Sequence, residues 1–380
     1  MDSYHRLTRL PSQSFFLFGM RGVGKSTWVR SALPDATAVD LLDERLYRDL
    51  LADPSLFAQS LAELGPGDWA VVDEVQRLPG LLNEVHRLIE ARGLRFALLG
   101  SSARKLKAAG TNLLAGRALR KTMFPLTAAE LGVDFELERV LRFGSIPLVW
   151  VSDDPRGVLD AYADLYLREE IRAEALVRNL PGFVRFLPVA ALFNGQVVNV
   201  AGIARDAGVA RTTVQGYVDI LVDTLLAYRL PAYQTRTRVR ERRQPKLYWV
   251  DPGVVRAVKR QLGEVTAEEH GPLFESWVGT TLRAHAQTSE LFDELFYWAP
   301  HGSGTEVDFV LRRGRELLGI EVKATARYHT RHLKGLRALD GATRRVLVYV
   351  GDRSFRTEDG IDVWPAARFA EEAATGTLWP

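Results

Sequence analysis

Along the first 150 positions, short unbroken apolar runs alternate with segments of helical spacing, the pattern of buried parallel strands with helices packed against a sheet. The runs are Phe15–Phe18, residues 36–40, the apolar stretch of WAVVDEV that ends at Asp73, and residues 96–99. Between them, residues 26–32, 41–64 and 80–91 place apolar side chains at three- and four-residue steps. Pro54 breaks the second of these, and Gly65-Pro66-Gly67-Asp68 turns the chain into the third run. Residues 155–180 follow as strong helix formers behind Pro155, which suits a helix start, and read as a lid or connector.

The pattern then changes to three helices, one in residues 183–196, a second that Asn199 can cap and Gly208 ends, and a third from Arg211. In the third, Val214, Tyr217, Val218, Leu221, Val222 and Leu225 make one buried face. Arg211, Thr212, Thr213 and Gln215 fall on the other, as short polar or cationic groups suited to phosphates and base edges. A helix, a glycine-containing turn and a second helix predict a helix-turn-helix. Beyond it Arg236, Arg238 and Arg240 alternate, so on a strand they share a face, and Arg242, Arg243 and Lys246 extend the patch. Such a wing is an electrostatic footprint for a DNA backbone; the alternatives are a solvated hairpin or an interface with an acidic protein.

Totals narrow the class. A chain of 380 residues should divide into about two or three domains. Its 47% hydrophobic and 26% charged content is that of a soluble globular protein. Lysine and arginine number 50 against 47 acids, so any nucleic-acid argument must come from local clustering. There is no cysteine, which excludes disulfides, thiolate zinc sites and cysteine nucleophiles and fits a reducing compartment. No apolar stretch approaches the about 18 residues that span a bilayer, and MDSYHRLTRLPSQS lacks the apolar core of a secretory signal. The expectation is a cytoplasmic protein with no membrane partner.

Directly behind Phe18 stands GMRGVGKST, the spacing G-x-x-x-x-G-K-S. Glycines let backbone N–H groups curl around phosphate oxygens, a lysine ammonium reaches the terminal phosphates, and a serine hydroxyl ligates Mg²⁺. Gly19, Gly22, Gly24, Lys25, Ser26 and Thr27 are therefore the expected ATP site, at a helix start whose positive end faces the anion. One helix-and-strand cycle later, Asp73 is placed to hold the Mg²⁺ through water and Glu74 to polarise the attacking water. Ser101 or Ser102, at the end of the next strand, could contact the terminal phosphate; the alternative is a pair of turn serines. Arg117 is the candidate charge-stabilising arginine, on its own site or on a neighbour's in a homo-oligomer, or else part of a solvated basic face with Arg120 and Lys121.

The last third carries a second acidic set. Residues 271–286 form a helix with Glu275, residues 295–300 a strand, and TEVDFVLRRGRELLGIEVKAT two strands joined across Arg313-Gly314-Arg315. On the first, Asp308 shares a face with Glu306 and Val310; on the second, Glu321 and Lys323 share one. Pairing the strands would bring Asp308, Glu321 and Lys323 together with Glu275 approaching. This is what metal-dependent phosphodiester cleavage uses: Asp308 and Glu321 as Mg²⁺ ligands and Lys323 to orient water or neutralise charge. Since Ile320 and Val322 need burial, the second strand should be central and its polar face should line a cleft. A helix at residues 330–339, the strand RRVLVYVG and the segment IDVWPAARFA complete an α/β layer.

In this order GMRGVGKST, VVDEVQRLPGLL, ALLGSSARKL, LLAGRALRKTMFPLTAAEL and FGSIPLV resemble a family of prokaryotic AAA-type ATPases whose C-terminal domain has no assigned function and is similar to restriction endonucleases. The resemblance implies an AAA-type P-loop domain at 1–150, a helical lid or connector at 151–182, a winged helix at 183–250 and an α/β domain of the PD-(D/E)xK kind at 251–380. Val307 stands where the fullest form of that centre has proline. The expected activity is ATP hydrolysis with DNA binding and Mg²⁺-dependent cleavage. The alternative is a nucleotide-dependent switch or scaffold whose nuclease-like domain only binds DNA or a protein.

Overall fold

The computed structural model describes residues 4–102, 104, 106, 114, 116–166, 179–234, 244–300 and 304–379. Contacts divide the chain into two compact units, residues 6–124 with 223–225, and residues 1–5, 125–222 and 226–380.

The first unit is a parallel sheet of β1 (Phe15–Phe18), β2 (Thr37–Asp40), β3 (Trp69–Asp73), β4 (Arg95–Gly100) and β5 (Leu119–Thr122), in the order β2-β3-β4-β1-β5. All four residues of β1 are buried, as an unbroken apolar run with partners on both edges requires. The helices fall where the apolar spacing predicts. Asp43 starts Glu44–Ala52 by accepting the N–H groups of Arg45 and Leu46 at 2.8 and 3.1 Å, and Gly93 ends Leu81–Arg92 in the left-handed region. Phe16, Phe18, Val72 and Leu98 from the sheet pack with Phe57 and Leu88 from the helices. Because β4 separates β1 from β3, the loops after these three strands meet at one edge of the sheet, where open α/β sheets bind ligands.

The second unit holds the helices Leu180–Leu192, Val200–Ala207 and Arg211–Asp223 beside an antiparallel sheet of β6 (Gln196–Val197), β7 (Ala227–Leu230) and β8 (Lys246–Trp249), in the order β6-β8-β7. Asn199 caps Val200–Ala207 through the Gly202 N–H at 3.0 Å, and Gly208 closes it. A second sheet follows with β9 (Glu294–Trp298), β10 (Val307–Arg313), β11 (Glu316–Lys323), β12 (Arg344–Tyr349), β13 (Phe355–Arg356) and β14 (Asp362–Pro365). Its order is β13-β14-β12-β11-β10-β9, so β11 is central, antiparallel to β10 and parallel to β12. The helix Ala267–Ser289 lies against β11. Among the described residues, no helix is long and apolar enough to cross a membrane.

At three places the described structure bears on these expectations. Only Pro155–Ala161 and the π-helical turn Tyr162–Tyr166 of the expected 155–180 helix can be described, and residues 167–178 lie outside the described residues. Asp308 does not share its face with Val310. The register to β9 shifts between Val307 and Val310, and both valines join one apolar cluster, which a regular period of two would forbid. Residues 125–150 cluster with the second unit, because Asp251 grips them. Its carboxylate accepts the Ser145 N–H at 2.8 Å and caps Pro252–Lys259 through the Val254 N–H at 3.1 Å. Gly144 has φ of 74°, and a Cβ there would collide with the Asp251 carboxylate.

Burial pushes the Asp251 carboxyl up to about 6, against the pull of the N–H groups of Ser145, Val254, Gly253 and Ile146. A pKa raised on folding means the folded chain holds the proton more tightly, so this contribution is complete below about pH 4 and is lost as pH rises through about 6. The stability of wild type relative to Asp251→Asn, measured by thermal unfolding, should therefore fall by about 3 kcal/mol between pH 4 and pH 7. A rise over that interval would show that the four N–H donors outweigh burial.

Candidate functional site

At the sheet edge of the first unit the chain turns from β1 into the helix Lys25–Ala32 through a loop in which Gly22 and Gly24 have φ of 81° and 88°. These are left-handed values that a side chain would resist. Gly24 is the helix N-cap and no side chain caps it, so the first-turn N–H groups are left to an anion. Lys25 is buried, and its Nζ donates to the carbonyls of Gly19 at 2.7 Å and Met20 at 3.3 Å, inside the loop. Arg6 braces the loop, donating to the carbonyls of Val23 and Phe124, each at 2.6 Å. No pattern in the sequence marks Arg6 for this task.

Ser26 Oγ donates to Asp73 Oδ2 at 2.5 Å, and Asp73 Oδ1 accepts the Glu74 N–H at 3.0 Å. A hydroxyl and a carboxylate oxygen in contact beside a phosphate loop are hard donors that fit Mg²⁺. Thr27 is exposed on the first turn of the helix. Glu74 itself is left-handed, at φ 56° and ψ 43°. Its Oε2 accepts from Gln76 Nε2, which also donates to Ser101 Oγ at 3.0 Å. Gln76, which sequence reasoning missed, thus ties the expected water-activating carboxylate to the serine at the end of β4. Its neighbours Glu74 and Arg77 are charged, so nothing in the local pattern marks it. Ser102 is fully buried, and its Oγ accepts the Arg104 N–H at 3.1 Å, as a turn serine does.

Arg117 lies elsewhere. Leu119 pairs with Phe15 in register, so Arg117 precedes β5 at the edge of the sheet where β1 begins, opposite the phosphate loop, and its guanidinium pairs with Glu90. Action on its own unit's ATP is ruled out by this placement.

In the second unit the structure brings Glu275, Asp308, Glu321 and Lys323 together. Lys323 Nζ donates to Glu321 Oε1 at 2.5 Å and stands 3.9 Å from Asp308 Oδ2, while Asp308 Oδ2 accepts the Val322 N–H at 2.8 Å. A further residue stands among them. Lys246, expected to extend an exposed basic patch, is buried in β8, 4% exposed. Its Nζ donates to Glu275 Oε1 at 3.1 Å, pairs with Glu306, and lies 3.9 Å from Asp308 Oδ1. Tyr248, two residues on and hence on the same face of β8, donates its hydroxyl to the same Glu275 oxygen. Burial alone would lower the lysine's affinity for its proton; the carboxylates of Glu275, Asp308 and Glu306 more than reverse this and hold it charged.

Burial, reinforced by the Asp308 charge, pushes Glu275 up to about 7 and Glu321 well above the ordinary carboxylate range. Asp308 and Glu321 are each 6% exposed, while the side chains of Glu306 and Lys323 beside them are 33% and 34% exposed and form the solvent-facing side of the centre. Mg²⁺ does not fit this set as it stands, because two ammonium groups stand among the carboxylates: Lys323 holds Glu321 Oε1, and Lys246 holds Glu275 Oε1 and lies 3.9 Å from Asp308 Oδ1. Among the described residues no group of three or more His, Cys, Asp or Glu could hold a metal ion. On the helix Arg211–Asp223, Arg211, Thr212 and Gln215 are exposed and Thr213 half-buried, opposite the buried Val214, Tyr217 and Val218. Arg236, Arg238, Arg240, Arg242 and Arg243 lie outside the described residues.

The profile of an AAA domain matches residues 11–132, and two domains of unknown function, DUF8612 and DUF4143, match residues 134–264 and 270–369. Uncharacterized proteins of Mycobacterium bovis and Mycobacterium tuberculosis are each 26% identical over 361 residues, covering 92% of this chain and 79% of theirs. Among solved structures, a mutant RuvB of Thermotoga maritima is similar at 17% identity and a TM-score of 0.31, over 58% of this chain and 82% of that one. With the loop and the Ser26–Asp73 contact, the domain match makes the N-terminal unit an AAA-type, P-loop ATPase domain.

If Gln76 positions Glu74, Gln76→Ala should lower kcat for ATP hydrolysis by about tenfold or more while ATP affinity stays within about twofold. A fluorescent-nucleotide titration beside steady-state phosphate release reads both. Unchanged kcat would leave Gln76 a packing residue.

Proposed function

We propose that this chain hydrolyses ATP in its N-terminal unit and binds duplex DNA through a winged helix in its second unit, with the C-terminal α/β domain holding a partner rather than cutting it. The observation that carries the ATPase reading is the Ser26–Asp73 contact at the mouth of the phosphate loop, with Glu74 next in sequence. Bound Mg²⁺, held by Ser26 and Asp73, would neutralise charge on the terminal phosphates. Lys25 exchanges its two carbonyl partners for phosphate oxygens, and the loop's N–H groups orient the chain of phosphates. Glu74 accepts a proton from the attacking water as oxygen bonds to the γ-phosphorus and ADP leaves.

The DNA reading is supported by the order of helices and strands in residues 180–249 and by the polar, exposed face of Arg211–Asp223. For the C-terminal domain, one observation favours holding over cutting: the Lys246 ammonium bonds Glu275 and Glu306 and lies 3.9 Å from Asp308, inside the centre that Mg²⁺-dependent cleavage would use.

Lys25→Ala should reduce ATP turnover by at least about a hundredfold, and Glu74→Gln should bind ATP with near-normal affinity while hydrolysing it about a hundredfold or more slowly. Single-turnover hydrolysis separates the two, and normal turnover in Lys25→Ala would mean the loop serves another purpose. For DNA, anisotropy titrations of a labelled duplex should lose affinity with rising salt, and Arg211→Ala should reduce the slope by about one. Affinity indifferent to salt would remove phosphate neutralisation as the basis of binding.

A further inference from the structure

We propose that the ammonium group of Lys246 stands permanently where a divalent cation would otherwise sit, making the C-terminal acidic centre an internal clasp that fastens β8 to the six-stranded sheet. The inference uses no residue of the ATP site and stands or falls separately from it.

The geometry carries it in three steps. First, the partners of this one nitrogen come from different elements: Glu275 from the helix Ala267–Ser289, Glu306 from the segment before β10, and Asp308 from β10. Convergence of carboxylates from separate elements is how metal cradles are built, but here the point of convergence is filled by nitrogen. A Mg²⁺ ion needs six oxygen ligands at about 2.0–2.1 Å, and one bonded to these same oxygens would have to share their lone pairs with an adjacent like charge.

Second, the ammonium cannot swing aside. Lys246 opens a strand hydrogen-bonded on one edge to β6 and on the other to β7, every residue of which is buried. Its side chain runs beneath the rings of Tyr297 and Tyr248, whose centroids lie 5.4 and 5.8 Å from Nζ. Expelling it would strip the ammonium of its carboxylate partners and of both rings.

Third, further oxygens of the group are held by donors of this chain. Glu275 Oε1 is shared between Lys246 and Tyr248, Asp308 Oδ2 is held by the Val322 N–H, and Glu321 Oε1 is held by Lys323. Glu321 Oε2 is fully buried without a hydrogen-bond partner, and Asp308 Oδ1 has the Lys246 ammonium only 3.9 Å away, so a cation bound between them would sit beside a like charge. The strand bearing Lys246 belongs to the sheet of the expected winged helix, and its carboxylate partners belong to the nuclease-like layer. The ion pairs therefore lock one to the other.

Titrating the nucleotide-free full chain with Mn²⁺, and following free Mn²⁺ by electron paramagnetic resonance, tests the clasp. Wild type and Asp308→Asn should bind the same number of ions. Lys246→Met should gain one equivalent, and Lys246→Met combined with Asp308→Asn should lose it again. Loss of an equivalent in Asp308→Asn relative to wild type would overturn the proposal, as would a folded Lys246→Met that gains none. Should Lys246→Met fail to fold by circular dichroism, the comparison of wild type with Asp308→Asn still decides.

Discussion

A charge taken out of water must meet a partner within contact distance, and this constraint governs both lysine-centred sites. A buried ion left alone costs several kcal/mol even after the surroundings relax. Where the chain folds Lys246, Glu275, Asp308 and Glu321 into one interior, it therefore has to balance them locally. Four carboxylates, counting Glu306, face two ammonium groups, and the raised proton affinities of Glu275 and Glu321 supply the remaining compensation. The ion pairs tie β8, β10, β11 and the helix Ala267–Ser289 together, and removing either lysine leaves buried carboxylates uncompensated.

The parts of this architecture legible in the sequence are those whose determinants are local. The phosphate loop follows from glycine spacing; the strands leading to Asp73 and Gly100 follow from unbroken apolar runs; the helix caps follow from the Asn199 side chain, which accepts a neighbouring N–H, and from Gly208, which enters the left-handed region without strain. What was not legible depends on pairing across distance. The bulge in β10 that turns Val310 away from the face of Asp308 is a property of the register with β9, which no period within β10 records. Likewise Lys246 ends a run of arginines and reads as one more solvated cation. The mark of its burial was available only in the strand itself: Leu247 and Trp249 need cover on one face while Tyr248 shares the face of Lys246, so both faces must be enclosed. Of the readings open for Arg117, the parallel register of β5 with β1 bears on the first, action on its own site, and that register is not visible within the local sequence.

That placement also constrains how the ATPase could be completed. An arginine at the starting edge of β1 has the length of the strand between it and the loop that follows, about 13 Å for four residues at the usual rise. No rotamer spans this, so a stabilising guanidinium for the terminal phosphate has to come from another residue or from another copy of the chain. Gln76 is the more immediate contributor, because a buried amide bonded to both Glu74 and Ser101 lets one side chain register changes at the end of β3 and at the end of β4.

The two lysines differ in what holds them, and the difference decides what each can do. Lys25 rests on the neutral carbonyls of Gly19 and Met20, hydrogen bonds whose net worth is small, about 1.5–3 kcal/mol for a charged donor. A phosphate oxygen carrying full charge competes easily with such partners, so the ammonium is poised to transfer to a ligand. Lys246, its side chain 5% exposed, rests on carboxylates, and breaking its pair with the largely buried Glu275 costs about 3–5 kcal/mol because the partner is stranded. No ligand entering from solvent offers better than what that nitrogen already has. The same side chain is thus a reagent where its partners are neutral and a fastener where they are charged, and the sequence letter alone does not distinguish them.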